Sequence, residues 1–169
     1  MDLLHGNVVA TLVEEYEIEY GAARVGGENG EAARSPKGEG WCVFIEGITV
    51  EMGYTDFVVQ VDKRHSPESC EFKRILEHED EHVAAHLAVI RDEGKNIRAA
   101  IAAAANNVLP MFARDENGID DAMNELETRL QNRPEIRLLR QKLAAEREIR
   151  NKKIDMNDRG ERIRSCAAE

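Results

Sequence analysis

The residues best suited to chemistry lie together in the segment RILEHEDEHVAAHLAVI, residues 74–90. His78 and His82 are four residues apart and Glu79 follows the first of them, which gives the pattern H-E-x-x-H. On a helix, residues four apart lie on one face, one turn from each other. Two imidazoles placed in this way can bind one zinc ion, and the glutamate can reach a water molecule beside the metal. The pattern therefore predicts zinc ligands at His78 and His82 and a general base at Glu79.

The segment around the pattern has the periodicity of an amphipathic helix over residues 71–92. Its apolar residues recur at spacings of three and four and fall within one stripe. The histidines lie along one edge of that stripe, and Glu79 lies almost on it, where a carboxylate is costly to bury without a partner. A metal-bound water would supply the partner. The alternative interpretation is a charged, solvated helix face, because Glu77, Asp80 and Glu81 lie in the same segment.

A catalytic zinc site needs a third protein ligand. His86 lies eight residues from His78, about 12 Å along a helix axis, so we expect it to be a polar residue in the wall of the cleft. Glu125 has the setting of a glutamate that a later helix donates to the metal. Cys42 would be the ligand if the site resembled that of peptide deformylase. However, position 81 is Glu rather than Asp, and the deformylase glycine-glutamine loop is absent.

The first part of the chain, residues 8–62, has the composition of strands. Residues 8–20 partly alternate apolar and acidic side chains, which predicts one strand. Residues 41–63 are rich in Val, Ile and aromatic residues and predict two or three strands, with turns at Gly47 and at Gly53–Asp56. Between these segments, residues 21–40 are rich in Gly and Ala and predict a long mobile loop.

The rest of the chain has helical patterns. A second helix is expected to end near Pro110, and further helices are expected at 117–132 and 134–153, before a turn and a short helix. Strands followed by helices predict an α+β fold. We expect a small antiparallel sheet packed on the H-E-x-x-H helix and followed by C-terminal helices over 95–169. This arrangement is zincin-like, in a single domain of residues 1–169.

Composition limits the function further. The net charge of −10 argues against nucleic acid as the partner. No run of about 18 apolar residues is present, so no membrane span is expected. The start, MDLLHGNVVA, lacks the features of a signal peptide. The sequence thus predicts a cytoplasmic protein, or a periplasmic or secreted one if a signal peptide precedes this chain. Three cysteines allow at most one disulfide.

The segments WCVFIEGITVEMGYTDFVVQV and SPESCEFKRILEHEDEHV resemble uncharacterised bacterial proteins that are predicted to be secreted zinc peptidases. The tail RNKKIDMNDRGERIRSC is similar to their C-terminal segment, in which an Ile-Asp pair precedes a closing cysteine. The resemblance covers about residues 41–166. It implies zinc ligands at His78 and His82, a catalytic Glu79, and a recurring acidic position at Asp155, which is either a ligand, a helix cap or a supporting carboxylate. It also implies export, with either a Cys42–Cys70 disulfide or two unpaired thiols.

These observations support two classes of function. The leading hypothesis is a zinc-dependent metallopeptidase that acts on a peptide or protein substrate. The rival is a non-catalytic domain with a degenerate peptidase fold, which binds metal or a partner without turnover. An amide hydrolase similar to peptide deformylase is a third and weaker interpretation.

Overall fold

The computed structural model describes residues 6–26 and 38–168. Two long strands come first, β1 (Gly6–Val25) and β2 (Gly40–Val61), followed by the long helix α1 (Cys70–Asn106). A short strand, β3 (Met111–Ala113), precedes helices α2 (Ile119–Gln131), α3 (Pro134–Asp158) and α4 (Glu161–Ser165). Short 3-10 turns cover Glu116–Gly118 and Cys166–Ala168. This order confirms the predicted α+β class, with a small antiparallel sheet and C-terminal helices.

The sheet has the strand order β1-β2-β3. Strand β2 pairs antiparallel with β3, so that Trp41 lies opposite Ala113. The predicted turns at Gly47 and Gly53–Asp56 are wrong, because β2 continues through both sites. Gly47 has a different purpose there: a Cβ at this position would lie 2.8 Å from Oε2 of Glu19. The absence of a side chain at Gly47 thus leaves room for the Glu19 carboxylate.

The predicted loop over 21–40 is wrong at its start, because β1 continues to Val25. Gly21 is buried, and a Cβ on it would lie 2.5 Å from the ring of Phe44. The small residue therefore keeps the strand packed where its composition had predicted a loop. Residues 27–37 of the predicted loop lie outside the described residues.

Helix α1 is much longer than predicted, because the helix expected at 71–92 and the one expected before Pro110 are continuous. Gly94 lies at the predicted break. A glycine inside a helix costs only about 1 kcal/mol relative to alanine. The apolar stripe continues past it, with Val89 buried before the glycine and Ile97 and Ile101 buried after it. Burial of this stripe outweighs the cost of one glycine.

The chain divides into two compact units. The first, called unit 1 below, combines the residues up to Glu14 with Met52–Gly94 and the residues from Gln141 onward. Within it, ion pairs join α1 to the C-terminal helices: Glu93 with Lys142 (2.7 Å), Asp92 with Arg150 (2.9 Å), and Glu81 with Arg162. Basic residues of the C-terminal segment thus face acidic residues of α1.

Unit 2 combines Glu15–Glu51 with Lys95–Arg140. Its core contains Val43 of β2, Ala113 of β3, and Ala122 and Leu126 of α2. The alanine of the short strand β3 thus packs in the same cluster as the residues of α2. The prediction of one domain over residues 1–169 stays a prediction, since both long strands and helices α1 and α3 contribute to both units.

Among the described residues, none of the helices combines the length and apolar character that crossing a membrane requires.

Candidate metal centre

Helix α1 carries both histidines of the H-E-x-x-H pattern into the interior of unit 1. The helix is capped at its start, where the Ser69 hydroxyl accepts the amide hydrogen of Phe72 at 3.1 Å. His78 is 3% exposed and His82 is 8% exposed. Their Nε2 atoms are 3.1 Å apart. The two rings therefore point at one place, as the spacing predicts.

Asp155, on helix α3, completes a cluster with the two histidines. Its Oδ1 lies 3.3 Å from Nε2 of His78 and 3.1 Å from Nε2 of His82. Groups with lone pairs at such distances need a proton or a cation between them. Three tetrahedral ligands at about 2.0–2.1 Å from zinc would lie about 3.3–3.4 Å from each other. Two imidazole nitrogens and one carboxylate oxygen at these separations could hold a metal ion of about this size.

The other candidates for the third ligand lie elsewhere. His86 is buried but is not part of the cluster. Glu125 is exposed on α2 and pairs with Arg129 at 2.8 Å. Cys42 lies in β2, opposite Phe112 of β3. The structure thus brings Asp155 to the two histidines, and the assignment of His78 and His82 as zinc ligands stays a prediction.

Glu79 lies on the same turn of α1 and is 3% exposed. Burial raises the pKa of its carboxyl group above the ordinary 4.5, while the nearby His82 and His78 lower it and Asp155 raises it. Strand β1 covers this residue at Gly6, where a Cβ would overlap the Glu79 carboxylate and lie 2.7 Å from Cγ2 of Ile75. A raised pKa and confinement beside the cluster suit a group that takes up a proton.

Asp158 supports the other side of His78 and was not a sequence candidate. Its Oδ2 lies 2.9 Å from Nδ1 of His78, although the contact is not aligned as a hydrogen bond. The Asp158 side chain is 6% exposed, and its Oδ1 accepts the amide hydrogen of Arg162 at 3.1 Å. A carboxylate beside Nδ1 favours a proton there and leaves Nε2 free to bind a metal.

Asn151 was also missed by the sequence analysis, and it lies against Nδ1 of His82. One signal could have revealed both residues. Asn151, Asp155 and Asp158 are spaced by four and three, so they share one face of a helix, and all three side chains accept hydrogen bonds.

The disulfide differs from both alternatives that the resemblance left open for Cys42 and Cys70, a bond between them or two unpaired thiols. Cys70 pairs with Cys166, with 5.7 Å between their Cα atoms, and Cys42 is free. The Cys42–Cys70 pairing is therefore wrong. The chain after α4 returns to the start of α1, whereas Cys42 lies in the sheet of unit 2 opposite Phe112. The bond fastens the segment that carries Asp155 and Asp158 to the helix that carries the histidines.

A cavity of about 220 Å³ adjoins the cluster. Glu79, His82 and Asp155 line it together with the first residues of β1, Gly6, Asn7 and Val8. A catalytic zinc site keeps one coordination position open, whereas a structural site is closed by four protein ligands. The three donor atoms of the cluster lie beside such open space.

Comparison of the chain with family models, with curated proteins and with solved structures finds no match in any of the three.

Proposed function

We propose that this protein is a zinc-dependent metallopeptidase with a zincin-like arrangement. In that arrangement His78, His82 and Asp155 hold the metal and Glu79 is the general base. The observation that carries the proposal is the convergence of three donor atoms, at 3.1–3.3 Å from one another, beside a buried glutamate. Zinc would supply Lewis acidity, which polarises a carbonyl group and makes water a nucleophile at neutral pH.

The chain's own residues account for the proton transfers. Glu79 lines the cavity with His82 and Asp155, and its raised pKa keeps it able both to take a proton from water and to return one to the leaving amine. The Asp158 carboxylate lies 2.9 Å from Nδ1 of His78, where it favours a proton and leaves Nε2 for the metal. Strand β1 lines the cavity with Gly6, Asn7 and Val8 beside Glu79.

The non-catalytic alternative has support of its own, because Glu79 is 3% exposed and β1 lies directly over it at Gly6. A buried base gives a substrate little access unless β1 moves. In that alternative the cluster binds a metal ion that links α3 to α1, and no substrate is hydrolysed. An arrangement like that of peptide deformylase gains no support, since Asp155 rather than Cys42 joins the histidines.

Two substitutions separate these functions. Glu79→Gln keeps the size of the side chain but cannot accept a proton at neutral pH, so zinc content should stay while hydrolysis of casein or a peptide library falls about 10²–10⁴-fold. His82→Ala should lose both zinc and turnover. Asp80→Asn is the matched control, because Asp80 is the neighbouring acid and is exposed. Undiminished turnover in Glu79→Gln would refute the peptidase mechanism, and zinc bound without turnover in the wild type would favour the non-catalytic alternative.

A further inference from the structure

The second nitrogen of His82 makes a contact that the proposed function does not use. Nε2 faces the cluster, while Nδ1 lies 3.1 Å from Oδ1 of Asn151 on α3. An amide oxygen only accepts hydrogen bonds, so this contact requires a proton on Nδ1. A neutral imidazole carries one proton, so Nε2 then has the free lone pair that a metal requires.

The other end of the Asn151 amide lies against the third histidine of α1. Its Nδ2 is 3.4 Å from Nε2 of His86. The His86 ring is 4% exposed, and its centroid is 5.1 Å from that of Tyr54 and 6.1 Å from that of Phe57. Burial, followed by the positive charge of Arg147, lowers the pKa of His86.

The hydrogen bonds among His82, Asn151 and His86 form a series in which each donor and acceptor is fixed by the next. Nε2 of His86 accepts from the Asn151 amide group, whose oxygen accepts in turn from Nδ1 of His82. Turning the amide over would place its NH₂ group against Nδ1 of His82 and its oxygen against Nε2 of His86. That arrangement would require a proton on Nε2 of His86 and would move the His82 proton to Nε2, the atom that faces Asp155.

We propose that Asn151 is a positioning residue that holds His82 in the tautomer with the proton on Nδ1, and that His86 holds the Asn151 amide in the required orientation. The proposal rests on the metal-binding part of the proposed function and not on peptide hydrolysis. It gives the third histidine a role that needs no contact with the metal. Mutation of the residue that hydrogen-bonds to the second nitrogen of a metal-binding histidine commonly lowers metal affinity about 10- to 100-fold.

The backbone around Asn151 is held independently of this chain of hydrogen bonds. The adjacent Arg150 pairs with Asp92 of α1 at 2.9 Å and with Glu146 at 3.1 Å. Arg147, one turn earlier, lies over the Tyr54 ring at 6.0 Å. Substitutions at position 151 should therefore leave α3 in place, and circular dichroism would verify this for each variant.

The experiment measures the zinc affinity of the purified full chain by competition with a chromogenic chelator. Asn151→Leu cannot accept a hydrogen bond from Nδ1 of His82, so this variant should bind zinc about 10- to 100-fold more weakly. Asn151→Asp keeps an acceptor and should restore affinity to at least the wild-type value. Asn124→Leu, on the exposed face of α2, is the matched control and should change nothing.

A double-mutant cycle tests the role of His86. His86→Phe keeps a ring beside Tyr54 and Phe57 but removes the acceptor, so the amide of Asn151 can turn over and affinity should fall. A carboxylate has two equivalent oxygens and needs no such orientation, so the same His86→Phe change should cost nothing in the Asn151→Asp background. Nitrogen NMR of the zinc-bound wild type should show a protected proton on Nδ1 of His82.

Equal affinities for Asn151→Leu and Asn151→Asp would overturn this inference and leave the proposed metal site standing. Equal effects of His86→Phe in both backgrounds would overturn the role of His86. Failure of the unaltered protein to bind zinc would overturn the inference together with the proposed function. The expected order of affinities in a protein without peptidase activity would support the inference and refute only the catalytic proposal.

Discussion

The disulfide between Cys70 and Cys166 should contribute a large share of the stability. The two cysteines are 96 residues apart in sequence. Closing a loop of that length in the unfolded chain removes entropy worth about 4.7 kcal/mol at 25 °C. This value is an upper limit, because residual structure in the unfolded chain reduces the entropy that remains to be removed. For a chain of this size, each kcal/mol shifts the melting temperature by about 2–4 °C. Loss of the bond should therefore lower the melting temperature by roughly 10–20 °C.

The assay is thermal unfolding followed by circular dichroism in metal-free buffer. Cys70→Ser and Cys166→Ser should show the same decrease, since either change removes the same bond. Cys42→Ser is the matched control, because Cys42 is free and only partly buried, and it should melt close to the wild type. Zinc affinity should also fall in the first two variants, because the bond holds the Asp155 segment against α1.

Reduction of the disulfide in the unaltered protein tests the same argument without a substitution. The native chain should show one reactive thiol, from Cys42, and three after reduction under denaturing conditions. If three thiols are titrated in the reduced, refolded protein and its melting temperature equals that of the oxidised protein, the loop-closure argument is refuted. The assignment of the pair is refuted separately if Cys42→Ser, rather than Cys166→Ser, abolishes the bond.

Two further predictions concern the surroundings of Glu79. The pKa of Glu79 is raised above 4.5 in the folded chain, so folding favours the protonated carboxyl group, and that stability is lost as pH rises through the folded pKa. The melting temperature of the metal-free Glu79→Gln variant should therefore rise relative to that of the wild type from pH 4.5 upward. A difference in melting temperature that is the same at pH 4 and pH 7 would contradict this. Gly6→Ala would push a Cβ into Glu79 and Ile75 and should cost about 1–3 kcal/mol in denaturant unfolding, whereas Gly53→Ala, whose Cβ would meet open space, should cost much less.

The features predicted correctly from the sequence are local ones. Periodicity predicted a helix around His78 and His82, and the four-residue spacing placed both rings on one face. The errors arose where contacts distant in sequence decide the local structure. Gly47 indicates a turn by composition but lies within β2, where the neighbouring strand contributes Glu19 beside it. Strand β3 is three residues long and forms only by pairing with β2, so it has no periodicity of its own.

The third donor shows the same limit. Asp155 lies 77 residues after His78 and 73 after His82, and the resemblance indicated its position but not its role. Many carboxylates follow α1 in the sequence, and no property of Asp155 alone distinguishes it from Glu125, which also lies on a helix. The choice between them depends on which helix packs beside the histidines. The spacing of Asn151, Asp155 and Asp158 places them on one helix face, but it does not say what that face packs against.

What selects Asp155 is the register between α1 and α3. The contacts run in opposite directions along the two helices: His86 and His82 meet Asn151, His82 and His78 meet Asp155, and His78 meets Asp158. A slip of one helical turn, about 5.4 Å, would bring Asn151 or Asp158 to the place of Asp155 and give the cluster a different donor. The Asp92–Arg150 ion pair fixes this register at one end, and the Cys70–Cys166 disulfide fixes it at the other. The composition of the cluster is therefore set by contacts outside it, so weakening either end should disturb the three donor atoms before it unfolds the helices.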